Sequence, residues 1–380
     1  MTHPPRFWQP YQSELGPYRV TPEVTYTPGN EARFVAGLRA LTATQIPYAH
    51  RLAQEHPTGF LMVHFLATDI AQHKLWRHLD ATHPWHRTEQ AHFGRAVRDL
   101  YAQIDAGLRQ LLSLMPEATV LVISDHGFGA QTQTVNLNIY SAECGLLTFK
   151  EGRAWKRRAW QQPWTTKIGQ RVWHRQRLLD WDDVDWKRTR AYSLGHMGQI
   201  WLNVTGREQA AVRQEVAAAL QALRDPQAGT PLVVRLIWRE EAPAGSFAHL
   251  GPDLYVMMDD PRVVAYPLLA ADGRIVTEQK MADSGNHRPE DILIAARPGI
   301  RLGGQVAGAR LIDLAPTILY LLGTAIPDDL DGVMLQSLLA GQGTVRHQRA
   351  PARDAVPTLL RAEEQDIVAA RLRAVGYLEG

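Results

Sequence analysis

Two short apolar runs flank one long amphipathic pattern, and this arrangement constrains the fold more than any other feature of the chain. "TGFLMVHFLAT" (58–68) is followed by "HFGRAVRDLYAQIDAGLRQLLSL" (92–114) and then by "ATVLVISD" (118–125). Apolar runs of that length suit buried strands, and the apolar period of the middle segment suits a helix. Strand, helix, strand is a βαβ unit, whose usual outcome is a parallel sheet with helices on its faces. Further strands are expected at 231–238, 253–258 and 291–297. Further helices are expected at 207–225, at 309–323 where Gly323 would close the last turn, and at 363–380.

Open α/β folds place ligands at the carboxyl ends of their strands. In "LVISDHGFGAQ" (121–131) an apolar run ends in Asp125 and His126, followed by Gly127 and Gly129, which would give the backbone freedom to turn. The run 58–68 leads into "ATDIAQHKLW", and in a helix Asp69 and His73 would share a face, one turn apart. Alone, that spacing favours a capping aspartate with a surface histidine over a shared cation. "DSGNHRPED" sets Gly285 and His287 in a polar loop before a strand, where a lone histidine is ordinarily just solvated. As a set, Asp69, His73, Asp125, His126 and His287 are oxygen and nitrogen donors suited to zinc, manganese or similar ions. Two such ions together make a clamp for phosphoryl transfer.

Composition removes several alternatives. The 380 residues, 45% hydrophobic and 21% charged, are those of an ordinary globular chain of one or two domains. Its 41 Lys and Arg against 39 Asp and Glu leave a formal charge of +2, so the chain as a whole has no bias toward nucleic acid or anionic membrane. Cys144 is the single cysteine, which excludes an internal disulfide. No apolar run reaches spanning length and "MTHPPRFWQPYQSELG" lacks a signal peptide's apolar region, so a cytoplasmic location is expected.

The ordered set "TDIAQHKLW", "ISDHGFG", "GNHRPEDILIA" and "IDLAPTILYLLGTAIPDDLDGVML" resembles the type I phosphodiesterase/nucleotide pyrophosphatase branch of the alkaline phosphatase superfamily. The resemblance extends to "LNIYSAECGLL", "DWKRTRAYSLGHMGQIWLNVTGRE" and the terminal "RLRAVGYLEG". It implies an α/β, alkaline-phosphatase-like sandwich with a mainly parallel central sheet flanked by helices, plus an inserted cap. The divisions expected are a connector and helix at 1–57, a core of 58–149 and 191–345, a cap at 150–190 and a tail with a short helix at 346–380. It also implies two divalent metals, zinc or else manganese, with Asp69, His73 and His287 on one and Asp125 and His126 on the other.

The family's nucleophile is a Thr or Ser hydroxyl on the second metal, which an additional Asp from an earlier strand also holds. Neither is visible in the 68 residues ahead of Asp69, where Thr21, Thr25 and Thr27 lie in a Pro-rich connector. The chain therefore reads as lacking a first quarter of the family pattern, with no catalytic nucleophile assigned, one metal position incomplete and impaired turnover. A complementary amino-terminal fragment is the partner that reading would call for, beside a small phosphoester substrate.

Between Lys150 and Arg190, basic residues interleave with Trp155, Trp160, Trp164, Trp173, Trp181 and Trp186. A nucleic-acid or lipid-headgroup surface is one reading; a cap that meets an anionic substrate is favoured, because its flanks match the family. Three functions stay open at this stage: a metal-dependent phosphoester hydrolase, a noncatalytic relative that binds metal or phosphoester, and a nucleic-acid binder. A sulfatase is disfavoured, since Cys144 lacks the Pro and Arg that should follow such a nucleophile.

Overall fold

The computed structural model describes residues 7–152, 181–195, 197–242, 245, 247–269, 274–278, 283–341 and 343–350. In chain order the helices are α1 (Gln9–Leu15), α2 (Glu31–Glu55), α3 (Ala67–Leu79), α4 (His92–Leu114), α5 (Leu137–Glu143), α6 (Arg207–Ala222) and α7 (Leu314–Leu321). The strands are β1 (Val120–Ile123), β2 (Gly127–Ala130), β3 (Gln133–Asn136), β4 (Ala191–Ser193), β5 (Gln199–Leu202), β6 (Val233–Trp238) and β7 (Leu254–Met258). They continue as β8 (Val263–Tyr266), β9 (Val276–Glu278), β10 (Gly285–Arg288), β11 (Leu293–Ala296), β12 (Ile326–Pro327) and β13 (His347–Gln348).

The chain divides into two compact units, Met1–Phe128 with His287–Gly380, and Gly129–Asn286. The first unit is built on α2, α3 and α4, each of which buries one stripe. On α2, Phe34, Leu38, Leu41, Gln45 and Tyr48 recur at helical spacing and turn inward. On α4, Gly107 faces α2 so closely that a Cβ would sit 2.6 Å from Ile46 Cδ1. On α3 the inward stripe is Ala67, Ala71, Leu75 and His78, which leaves Asp69 and His73 off the core side. Beyond the helices, β1 pairs with β11 in antiparallel register, Val122 opposite Ile294. Leu121, Leu293 and Ala295 pack on the cluster of Ile300, Leu314, Leu335, Leu338 and Leu339.

The second unit carries an antiparallel sheet in the order β4, β5, β7, β6 and a smaller one in the order β8, β3, β9. Val212, Val216 and Leu220 of α6 join its core with Val135, Leu137, Ile200, Leu254 and Val256.

The chain is mixed α/β as expected, but among the described residues no mainly parallel central sheet is present and most pairings are antiparallel. Parallel pairing joins β3 to β8 and β12 to β13, whereas β1–β11, β3–β9, β4–β5, β5–β7 and β6–β7 are antiparallel. The βαβ expectation fails at its first strand. Residues 60–65 belong to no strand among the described residues, and Phe60 and Met62 lie exposed. An apolar run becomes a strand only when a neighbour takes up its N–H and C=O groups, and among the described residues no strand pairs with 60–65, while β1 pairs with β11 alone.

The expected helices at 92–114, 207–225 and 309–323 are present as α4, α6 and α7, with Gly323 at φ +69° after the last. Most of the Trp-rich stretch, 153–180, and the expected helix at 363–380 lie outside the described residues. Among the described residues no helix is long and apolar enough to cross a membrane.

Candidate metal centre

Helix α3 begins at Ala67, so Asp69 stands in its first turn and His73 one turn later, on the face turned away from the buried stripe. The second contribution comes from the end of β1. Ser124 fixes it there, its N–H donating to Ile292 O at 3.2 Å while its Oγ accepts from Ile292 N–H at 3.0 Å. Asp125 and His126 follow at once, and His287 sits on β10. All five residues belong to the first unit.

Three of them converge on an oxygen of a fourth. Asp69 Oδ1 lies 3.4 Å from His287 Nε2 and 3.7 Å from the Nε2 atoms of both His73 and His126. His73 Nε2 and His287 Nε2 are 3.0 Å apart, and the rings of His126 and His287 stack with centroids 3.5 Å apart. Asp69 Oδ1 is buried and has no well-aligned hydrogen bond, its nearest imidazole nitrogen being His287 Nε2 at 3.4 Å. Burial pushes the Asp69 carboxyl up, and the facing His287, His73 and His126 imidazoles outweigh it, so the net shift is downward.

Asp69, His73 and His287 each present a donor atom within 4.8 Å of the others and could hold a metal ion. Two imidazoles and a carboxylate are a donor set that suits zinc with an open position. Asp125 is not drawn in. Its side chain is 75% exposed, and Oδ1 lies 3.6 Å from His126 Nε2. The division of ligands implied by the resemblance is thus not visible as two separate groups: His126 is as near to Asp69 as His73 is.

Phe128 escaped the sequence reading. Its ring lies edge-on to His73, His126 and His287 at centroid distances of 4.9, 5.5 and 5.2 Å and stacks at 6.1 Å on Trp76. It forms an apolar side to the group, in contact with all three imidazoles. The available signal was its position between Gly127 and Gly129 in the same motif. Tyr101 of α4 was missed as well; burial pushes its phenol up, Gln72 hydrogen-bonds it, and the Asp69 charge acts on it.

A family model described as type I phosphodiesterase / nucleotide pyrophosphatase matches residues 2–302. No curated protein and no solved structure matches the chain.

Proposed function

Because the chain belongs to the type I phosphodiesterase/nucleotide pyrophosphatase family, one of metal-dependent hydrolases, we propose that it hydrolyses a small phosphoester at the group around Asp69. One observation carries this reading: a buried carboxylate oxygen without a well-aligned hydrogen bond has three imidazole nitrogens within 3.7 Å. Leaving an acceptor in that state is costly unless a cation takes it. Asp69, His73 and His287 would hold one ion, of zinc or else manganese, and His126 with Asp125 would belong to a second position with fewer ligands.

A bound divalent cation would polarise the phosphoryl oxygen and lower the pKa of a coordinated nucleophile. The residues of the chain supply the rest. Phe128 forms an apolar side to the imidazoles, the α3 backbone fixes Asp69 and His73 one turn apart, and Ser124 locks the strand end that carries His126. The second position has only two assigned ligands and no assigned hydroxyl nucleophile, so turnover by this chain is read as weak. The stretch 150–190, basic and rich in Trp, is proposed as a cap where substrate choice is made, in a core of 58–149 and 191–345; this rests on sequence.

Elemental analysis after dialysis should return nearer one tightly held ion per chain than two, lost in His287→Ala. An aryl phosphodiester and an aryl phosphomonoester, assayed with zinc or manganese, should be turned over slowly. Binding of metal without any turnover would favour the noncatalytic relative, a reading the exposed Asp125 supports. The absence of both bound metal and turnover would overturn the proposal.

A further inference from the structure

The far end of α3 offers a second group of polar side chains. Helix α4 starts at His92 with no side chain capping its N-terminus and no acid in its first turn. Gly94 N–H donates to Ala91 O, while the N–H groups of His92 and Phe93 and the positive end of the dipole are left without a counter-charge from the helix itself. This helix start lines a cleft of about 510 Å³, whose polar lining includes His78, His86, Thr88, His92, Arg95 and Arg98.

Neither Arg95 nor Arg98 has a carboxylate partner among the described residues, although other arginines of the first unit do. Arg39 pairs with Asp99 and Arg109 with Asp105. His78 is 2% exposed, and its Nε2 accepts from Arg77 Nε–H at 3.2 Å. Its hydrogen therefore sits on Nδ1, which is buried and has no partner. Glu89 is the one carboxylate of the lining, and it opposes an anion.

We propose that this cleft binds a small tetrahedral oxyanion of the phosphate class, held by Arg95, Arg98 and the first N–H groups of α4, with Thr88 and His78 as further donors. Two guanidinium groups less than one turn apart on α4, the Thr88 hydroxyl and the start of the same helix line one cleft, a concentration of donors that suits an oxyanion of the phosphate class. The site is distinct from the group around Asp69 and does not rest on the hydrolase reading. Asp69 and His73 lie in the first two turns of α3, while His78 is in the last.

The test is a calorimetric titration of inorganic phosphate into chelator-treated full-length protein. Saturable binding is expected to persist with chelator and in His287→Ala, and to weaken by at least about tenfold in Arg95→Gln/Arg98→Gln. Both arginines are exposed and Gln is a good helix former, so the variant should fold. Its melting temperature without phosphate checks that, and Arg98→Gln alone serves if the double variant is unstable. Glu89→Gln should tighten binding. Glycerol 3-phosphate binding more tightly than phosphate would identify a phosphorylated organic ligand, and the reverse order the free ion. Binding abolished by chelator or by His287→Ala, binding indifferent to the arginines, or no saturable binding would overturn the site.

Discussion

At the scale of single residues, Asp69 is the point on which the proposed function turns, because three imidazole nitrogens lie within 3.7 Å of its buried oxygen. Asp69→Asn keeps the shape and removes the charge, and should weaken zinc binding by at least about 100-fold. Excess zinc at roughly 100 times its dissociation constant would stabilise the parent protein by about 2.7 kcal/mol. That thermal shift should vanish in Asp69→Asn, and its persistence would move the metal elsewhere. His78 gives a prediction of a different kind. Burial, helped by the Arg77 charge, lowers its pKa from 6.5 to about 4. Between those values the unfolded chain holds a proton that the folded chain does not, so stability falls as pH is lowered through that window. Above pH 6.5 this residue contributes no pH dependence. The full loss is about 3 kcal/mol. Urea unfolding at pH 6.5 and at pH 4.5 should show it, and His78→Phe should flatten the difference. An equal pH dependence in that variant would assign the effect to the carboxylates instead.

Elements explain which parts of the fold and the site could be read from the sequence. Helix α4 occupies 92–114 as expected, because a 3.6-residue apolar period is a property of the segment itself. The same local logic placed Asp69 and His73 on one turn of α3. A strand is different, since it exists only through a neighbour, and nothing in "TGFLMVHFLAT" says whether one is available. The convergence of His287 with His73, 214 residues away, likewise has no local signature and came from resemblance. Phe128 was overlooked for a related reason: an aromatic among glycines looks like turn packing until three imidazoles are seen around it. Gly127 shows a right expectation with the wrong cause. Its φ is not among the positive ones; it is needed because a Cβ would run into the Glu290 carbonyl oxygen. Gly127→Val should therefore cost about 1–3 kcal/mol and reduce bound metal, because His126 is the preceding residue. Unchanged melting and metal content would mean that the backbone at Glu290 can yield.

At the scale of the whole molecule, the second unit is one continuous segment, Gly129–Asn286, while the first is assembled from both sides of it. Its two ends meet: Gln131 N–H donates to Ser284 O at 2.9 Å. Paired backbones of that kind hold their Cα atoms about 5 Å apart, so a linker of a few glycines can bridge them. The segment also owns a core, in which Val135, Leu137, Val216, Ile200 and Leu254 are all buried. Segments with close ends and a core of their own are those that tolerate excision. Residues 129–286 expressed alone should then unfold in one cooperative transition. The complementary chain, with 131–284 replaced by a short Gly-Ser linker, retains Asp69, His73, His126, Phe128 and His287, every residue that the proposed metal position uses. Its zinc affinity should remain within a few-fold of the parent's, whereas its phosphoester turnover should fall further if 150–190 selects substrate. Calorimetric titration with zinc on the two chains separates the cases. A soluble, folded excised chain that no longer binds zinc would mean that the second unit supplies a ligand, and that the cluster around Asp69 is not sufficient on its own.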